Sequence, residues 1–340
     1  MAVDPALLAT YTSNVGASLK EDVSDIITNI SPTEYPIQAN IGSISVDNPE
    51  FFEWQLDTLN AARDNGEIDG FAFSALDNVL TTRTRLKAVC QIQARGFSVS
   101  DRQEEVSKYG LDSEISYQAT LRGEELRRDC EKVITRPATP VDSADSTVPI
   151  TAGIPSWLRT NTSRDGGGSD PGLTNGEPSS ADPGDIDGTD RALSEADFLT
   201  VVGEIYDEGG NPDMVNVGRA VKQKWSQYML SGNARSATQY QDQGRSPNSG
   251  IQVVGAVDYY VSDFGVLAIV PNRFSREDDV LILDTSLWEL GTFRGYQLKE
   301  NGRDGDKLDF FVVHDFCLIS RNEAGSGVVA DIDETTAMTA

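Results

Sequence analysis

The segment 51–100 constrains this chain more than any other. Phe52, Trp54 and Leu56 alternate with polar neighbours on its outgoing limb. On the return, Leu86, Ala88, Cys90, Ile92 and Ala94 alternate with Lys87, Val89, Gln91, Gln93 and Arg95. Period two is the mark of a strand with one buried face. The tip between the limbs, about 61–82, carries the turn residues Asp64-Asn65-Gly66 and Asp69-Gly70. A long two-stranded excursion with a loose tip is marginal alone in water. It needs a neighbouring surface, and another chain is one source of it.

The segments around it have the same need. Residues 1–50 read as an extended arm with one helix. Ser18-Leu19-Lys20-Glu21 has capping-box spacing, and Val23, Ile26, Ile27 and Ile30 follow at helical intervals until Ser31-Pro32 ends the run. Pro36, Gly42 and Pro49 keep the remainder open. Residues 101–136 predict the strongest helix, with Leu111, Ile115, Ala119, Leu126, Cys130 and Val133 on one stripe. Acids gather early and bases late, complementing the helix dipole. Tyr109-Gly110 marks a candidate kink. At 1.5 Å per residue the helix would run roughly 40 to 50 Å, the length of a strut.

Residues 137–192 hold seven of the fourteen prolines, a Gly166-Gly167-Gly168 run and many acids, the composition of an irregular surface loop. Trp157-Leu158 is its one apolar anchor. Helices follow at Ser194–Asp207 and Arg219–Leu230, with Met214–Val217 as a short strand between them. From 251 onward the pattern is β. Val253–Val261 and Val266–Val270 flank a hairpin turn, Val280–Leu283 is a short apolar run, and Leu308–Ile319 alternates. The last fifteen residues read as a polar tail. Runs of helix and runs of strand make the class α+β.

Residue inventory speaks against enzyme chemistry. His314 is the single histidine, so neither a zinc helix nor a histidine cluster can form. It alternates with large apolar residues and reads as a packed or interface side chain. No nucleophile elbow and no phosphate cradle occur. Catalytic and cofactor-binding residues are therefore assigned to none. The three cysteines, Cys90, Cys130 and Cys317, are far apart in sequence and odd in number, which argues against a disulfide framework and fits folding in a reducing cytoplasm. Asp185, Asp187 and Asp190 are a weak calcium candidate. Their glycine falls at the wrong loop position for an EF-hand, and a solvated acidic loop is the plain alternative.

Charge excludes two partner classes. The 54 acids against 28 bases give a net charge of −26, the opposite of what gripping phosphates or anionic lipid requires. No segment is apolar for long enough to cross a bilayer, and no signal peptide opens the sequence.

An arm, a hairpin excursion, a strut helix, a loop-rich domain and a β-rich return, none able to bury its own apolar face, suit a chain that interlocks with copies of itself. In that order the parts resemble the Hong Kong 97-type major capsid protein of tailed phages. Local runs sharpen the likeness to SU-ten-type podovirus coat proteins. They are Lys20–Ile27 through Ile30–Pro36, then Glu53–Leu59, then Tyr260–Gly265 with Val270–Phe274, then Ser320–Ala324. The likeness has a gap over about 137–192.

The resemblance implies an N-terminal arm (1–50), an extended loop (51–100) and a spine helix of the peripheral domain (101–136). An axial domain (137–306) would carry the loop-rich insertion 137–192, with part of 251–275 assignable to the peripheral domain. A peripheral strand and tail (307–340) would close the chain. The function implied is a shell subunit that forms hexamers and pentamers around double-stranded DNA without sequence-specific binding, in the virion and, during assembly, in the host cytoplasm. Its partners would be copies of itself, then portal, scaffolding and cement or decoration proteins, with no membrane. Expected assembly contacts are Glu21, Asp22, Asp25, Ile26 and Ile27 in the arm, and Trp54, Arg63, Asp64, Arg83 and Arg85 in the loop. The loop has no lysine between Lys20 and Lys87 for a covalent Lys–Asn seal, so a non-covalent shell is expected. The competing readings are a decoration or tail protein, and an acidic hydrolase or carbohydrate- or calcium-binding module.

Overall fold

A computed structural model describes residues 33–62, 64, 66–72, 82–106, 110, 112–231 and 258–339. The first elements are a short helix α1 (Pro36–Asn40) and the strands β1 (Gly42–Ser45), β2 (Phe51–Leu56), β3 (Thr84–Val89) and β4 (Gln91–Ser100). Helices α2 (Asp101–Glu105), α3 (Glu114–Thr135) and α4 (Ile154–Trp157) follow, then β5 (Thr162–Ser163), β6 (Gly172–Thr174), β7 (Glu177–Ser179) and α5 (Pro183–Ile186). The second half holds α6 (Glu195–Asp207), β8 (Met214–Val217), α7 (Arg219–Ser231), β9 (Tyr259–Ser262), β10 (Gly265–Pro271), β11 (Val280–Leu283), β12 (Trp288–Arg303), β13 (Lys307–Ser320) and β14 (Gly327–Val329).

Two sheets organise these elements. One has the order β1-β12-β13-β4, the other β5-β14-β11-β8-β10-β9. The central strand β11 of the second sheet is buried on both faces, which explains why Val280–Leu283 is apolar at every position. Leu281, Leu283, Met214 and Val328 face a core shared with the first sheet, α3 and the β2–β3 hairpin. Val280, Ile282, Val215, Val217 and Val329 face a second core under α6 and α7. There Phe198 meets Trp225 edge-on at 4.6 Å and Tyr260 at 5.4 Å.

The α+β class and the late hairpin are as expected. Ser262 pairs with Gly265 across the predicted turn, while 253–257 lies outside the described residues. Several expectations differ in instructive ways. The continuous run 86–95 is two strands, because the chain changes partner at Cys90. β3 pairs with β2 over Phe51–Leu56, whereas β4 leaves that hairpin and pairs with β13. The single helix over 101–136 is also two. Ser100 and Ser113 each cap a new start, accepting from Gln103 N and Ser116 N. Glu104 accepts the Glu114 amide at 2.9 Å, placing a carboxylate at the N-terminus of α3. The remaining strut, 22 residues, is about 33 Å long. Pro36 does not hold the chain open; it occupies the first turn of α1, where its missing N–H costs nothing.

The boundary drawn at 306/307 is crossed in both directions. β12, expected with 137–306, pairs with β13 along its length, from Trp288↔Ser320 to Arg303↔Leu308. Past it, β14 returns to the six-stranded sheet between β11 and β5. A local antiparallel hairpin decides the first pairing and burial of Val328, Val329 and Ala330 the second. The expected polar tail is therefore partly core.

Candidate assembly surfaces

The β2–β3 hairpin rests on its own chain at its root and exposes its far end. Trp54 is buried and packs on Trp157, and Phe52 stacks near it at 6.0 Å. Trp54, expected as an intersubunit contact, thus has an intrachain one. Lys87 is held by Asp142 at 2.5 Å and Glu177 at 3.0 Å, tying the hairpin to the 137–192 segment. Arg83 and Arg85 lie on the exposed face, paired within the hairpin to Asp57 at 3.1 Å and Glu53 at 3.3 Å. Asp64 is exposed at the tip. Arg63 and the arm residues Glu21, Asp22, Asp25, Ile26 and Ile27 lie outside the described residues. Beyond the strands, the apolar Leu59 (98% exposed), Ile68 (78%) and Phe71 (47%) face solvent.

A second exposed apolar patch was missed by sequence reasoning. On the β9–β10 hairpin, at the edge of the six-stranded sheet, Tyr259, Val261, Phe264 and Val266 are exposed. Val261 and Val266 are cross-strand partners, and Phe264 lies 4.7 Å from exposed Tyr206 of α6. The signal was present in the alternation of Tyr259-Tyr260-Val261, whose two faces are both apolar.

Between these surfaces, Glu131 of α3 gathers the chain where it enters from the arm. Its buried carboxylate accepts from Ile37 N at 3.0 Å, Gln38 N at 3.2 Å and Asn272 Nδ2 at 2.8 Å. It therefore caps α1 and joins it to the end of β10. Burial raises its pKa, opposed by those hydrogen bonds.

One of the loop acids is engaged by a neighbouring arginine. Asp187 is bound by Arg276 at 2.8 Å, and Arg276 also pairs with Asp278 and Asp279. No group of three or more histidine, cysteine or carboxylate side chains among the described residues is arranged to hold a metal. His314 is buried, stacked on Tyr296 at 4.1 Å and near Phe316 at 5.2 Å, the packed role expected of it. Irregular register in β12 near residues 294–297 accompanies the Tyr296 stack, and the Arg127 guanidinium sits 5.5 Å from the Tyr296 ring. Burial lowers the His314 pKa to about 4.

Comparison with known proteins decides what this architecture belongs to. The family model described as the SU10 major capsid protein matches residues 8–333. The chain belongs to the SU10 major capsid protein family. A curated relative, the major capsid protein of Escherichia phage Phieco32, is 23% identical over 354 residues, covering 96% of this chain and 97% of that protein. Among solved structures, the capsid asymmetric unit of cyanophage A-1(L) aligns with a TM-score of 0.62 at 11% identity, over 94% of this chain and 99% of that one. The capsid of a native GTA particle gives 0.59 at 12%, over 96% and 100%. The fold is that of phage coat subunits, the Hong Kong 97-like class expected from the sequence, and the chain is a structural capsid protein of a phage head.

Proposed function

We propose that copies of this capsid protein form hexamers and pentamers that close into an icosahedral head around packaged double-stranded DNA. In this reading β1, β12, β13, β4 and α3 are the peripheral domain, the six-stranded sheet with α6 and α7 the axial domain, and the β2–β3 hairpin the extended loop. The observation that carries it is the hairpin end. Leu59, Ile68 and Phe71 are exposed apolar groups at the end of an excursion whose root is buried on its own chain. A neighbouring copy supplies the cover, with Asp64, Arg83, Arg85 and the arm residues at the same lapped contacts. Exposed ion pairs give roughly 0 to 1 kcal/mol each, so apolar area dominates each contact.

Lys87 is already committed to Asp142 and Glu177, consistent with a shell sealed without covalent links. The role is structural rather than catalytic. Portal, scaffolding and decoration proteins are the remaining partners, and assembly takes place in the host cytoplasm. The −26 charge keeps the shell from adhering to the genome, and like-charged subunits repel, so particle stability rises with salt.

Electron microscopy of purified protein tests this reading directly. Capsomers or closed shells are expected; a strictly monomeric species under every assembly condition contradicts it. A covalent ladder on a denaturing gel of intact particles would overturn the non-covalent seal alone.

A further inference from the structure

Tertiary pairing brings together two cysteines that are 227 positions apart in sequence (317 minus 90). The β4–β13 ladder ends at Phe316↔Gln91, and continuing that register by one step sets Cys317 opposite Cys90. Directly opposed residues of an antiparallel pair have Cα atoms about 4.5–5.5 Å apart. A disulfide spans Cα separations of about 4.4–6.8 Å. Both are buried free thiols, and the Cys90 sulfur also lies 3.8 Å from Asn48 O, to which it donates. Across the sheet, Cys317 faces Gly291, where an added Cβ would lie 2.7 Å from the Cys317 sulfur. The missing side chain at 291 leaves the room that the sulfur fills.

We propose that Cys90 and Cys317 are a redox pair that a peroxide-class oxidant converts to an intrachain disulfide in the native fold. The position gives the bond a consequence. Cys90 stands between β3 and β4, at the root of the hairpin, and its amide donates to Glu50 O at 2.9 Å. The bond would fasten that root to β13.

The chemistry closes with one equivalent of oxidant. The Cys90 thiolate attacks a peroxide oxygen, the O–O bond breaks, and a sulfenic acid and one water (after protonation) result. The Cys317 sulfur then attacks the Cys90 sulfur, the S–O bond breaks, and a second water leaves with the Cys317 proton. Two thiols are oxidised by two electrons, and the peroxide is reduced by two.

Roles divide between the thiols. The neighbouring Cys317 thiol lowers the Cys90 pKa against the effect of burial, which favours Cys90 as the attacking group. Cys90 and burial both raise Cys317. Cys130, in α3, has its thiol raised well above the ordinary range by burial and serves as an internal control. The second step is intramolecular between opposed residues, which favours it over further oxidation.

The test treats the full-length protein, assembled where it assembles, with hydrogen peroxide in native buffer. Alkylation under denaturing conditions and peptide mass spectrometry follow. Expected is a Cys90–Cys317 cross-linked peptide lighter by two hydrogens than its two halves, Cys130 still alkylated, and monomer mobility on a non-reducing gel. A thiol reductant should reverse it. In Cys317→Ser, Cys90 should stop at a sulfenic acid that a dimedone probe traps. Three alkylated cysteines after treatment, a link to Cys130, a link between chains, or sulfinic acid at Cys90 in place of the bond would each overturn the proposal. The wild-type measurement decides it even where a serine variant fails to fold.

Discussion

The rings of Trp54 and Trp157 lie 5.6 Å apart at an interplanar angle of 45°, and both side chains are buried. One comes from the outgoing limb of the hairpin, the other from the proline-rich segment that reads in sequence as irregular loop. Their contact makes the loop the floor on which the hairpin stands. Gly176 makes the same point: an added Cβ there would lie 2.4 Å from Arg85 O, so loop and strand meet backbone to backbone.

Replacing Trp157 by alanine should therefore cost about 3–5 kcal/mol, as for other buried tryptophans. A double-mutant cycle with Trp54→Ala should show a ring–ring coupling of about 0.5–1.5 kcal/mol. Denaturant unfolding of the subunit measures both. Additive losses would mean that the two rings stabilise separate parts of the core.

Glu131→Ala should destabilise by about 2–4 kcal/mol, because it leaves several donors without an acceptor in a buried site. Glu131→Gln, which keeps an acceptor oxygen, should lose less. Hydrogen exchange should show the α1 amides of Ile37 and Gln38 deprotected in the alanine variant. Unchanged protection there would remove the capping role.

Arg276 holds Asp187 of the loop and the acids that precede β11. Asp279 is almost fully buried, so Arg276→Leu strands a carboxylate and should cost about 3–5 kcal/mol. Adding Asp279→Asn should recover part of that loss. If the double variant is no more stable than the single, the charge of Asp279 is not what Arg276 offsets.

Acid stability should reveal two buried groups with opposite signs. Burial lowers His314 to about 4 in the folded chain, with Arg127 acting in the same direction and Asp315 against it. The unfolded state binds that proton first, so His314 removes stability as pH falls from 6.5 toward 4, by about 3 kcal/mol at most. Asp279 runs the other way. Burial raises it to about 7, so its charge costs stability above that pH and the cost fades on acidification. Unfolding curves between pH 4 and 7 should show His314→Phe gaining on wild type as pH falls and Asp279→Asn losing ground. Parallel profiles for all three proteins would exclude both effects.

Much of the architecture was legible because its signals are local. Period-two runs marked β2, β3 and β13, a hairpin turn marked β10, serine caps and a 3.6-residue stripe marked α6 and α3, and the uncovered excursion pointed to a chain that needs copies of itself. Cys90 shows where legibility stops: alternation passes through it unbroken, although the strand changes partner there. The roles of Trp54 and Arg276 were hidden for a related reason. Each depends on a residue more than fifty positions away, and side-chain type alone does not say whether a tryptophan will meet its own loop or a neighbouring copy.

The sequence by itself determined the α+β class, the net acidity and the lone histidine's packed position, because composition and periodicity carry those, and its local runs carried the resemblance to the capsid family. Only the tertiary structure decided that β4 leaves the β2–β3 hairpin for β13, that the tail returns as β14, and that Cys90 stands one step from the Gln91↔Phe316 pair beside Cys317. Pairing is chosen by which faces can be buried together, and that choice is made across the whole chain at once.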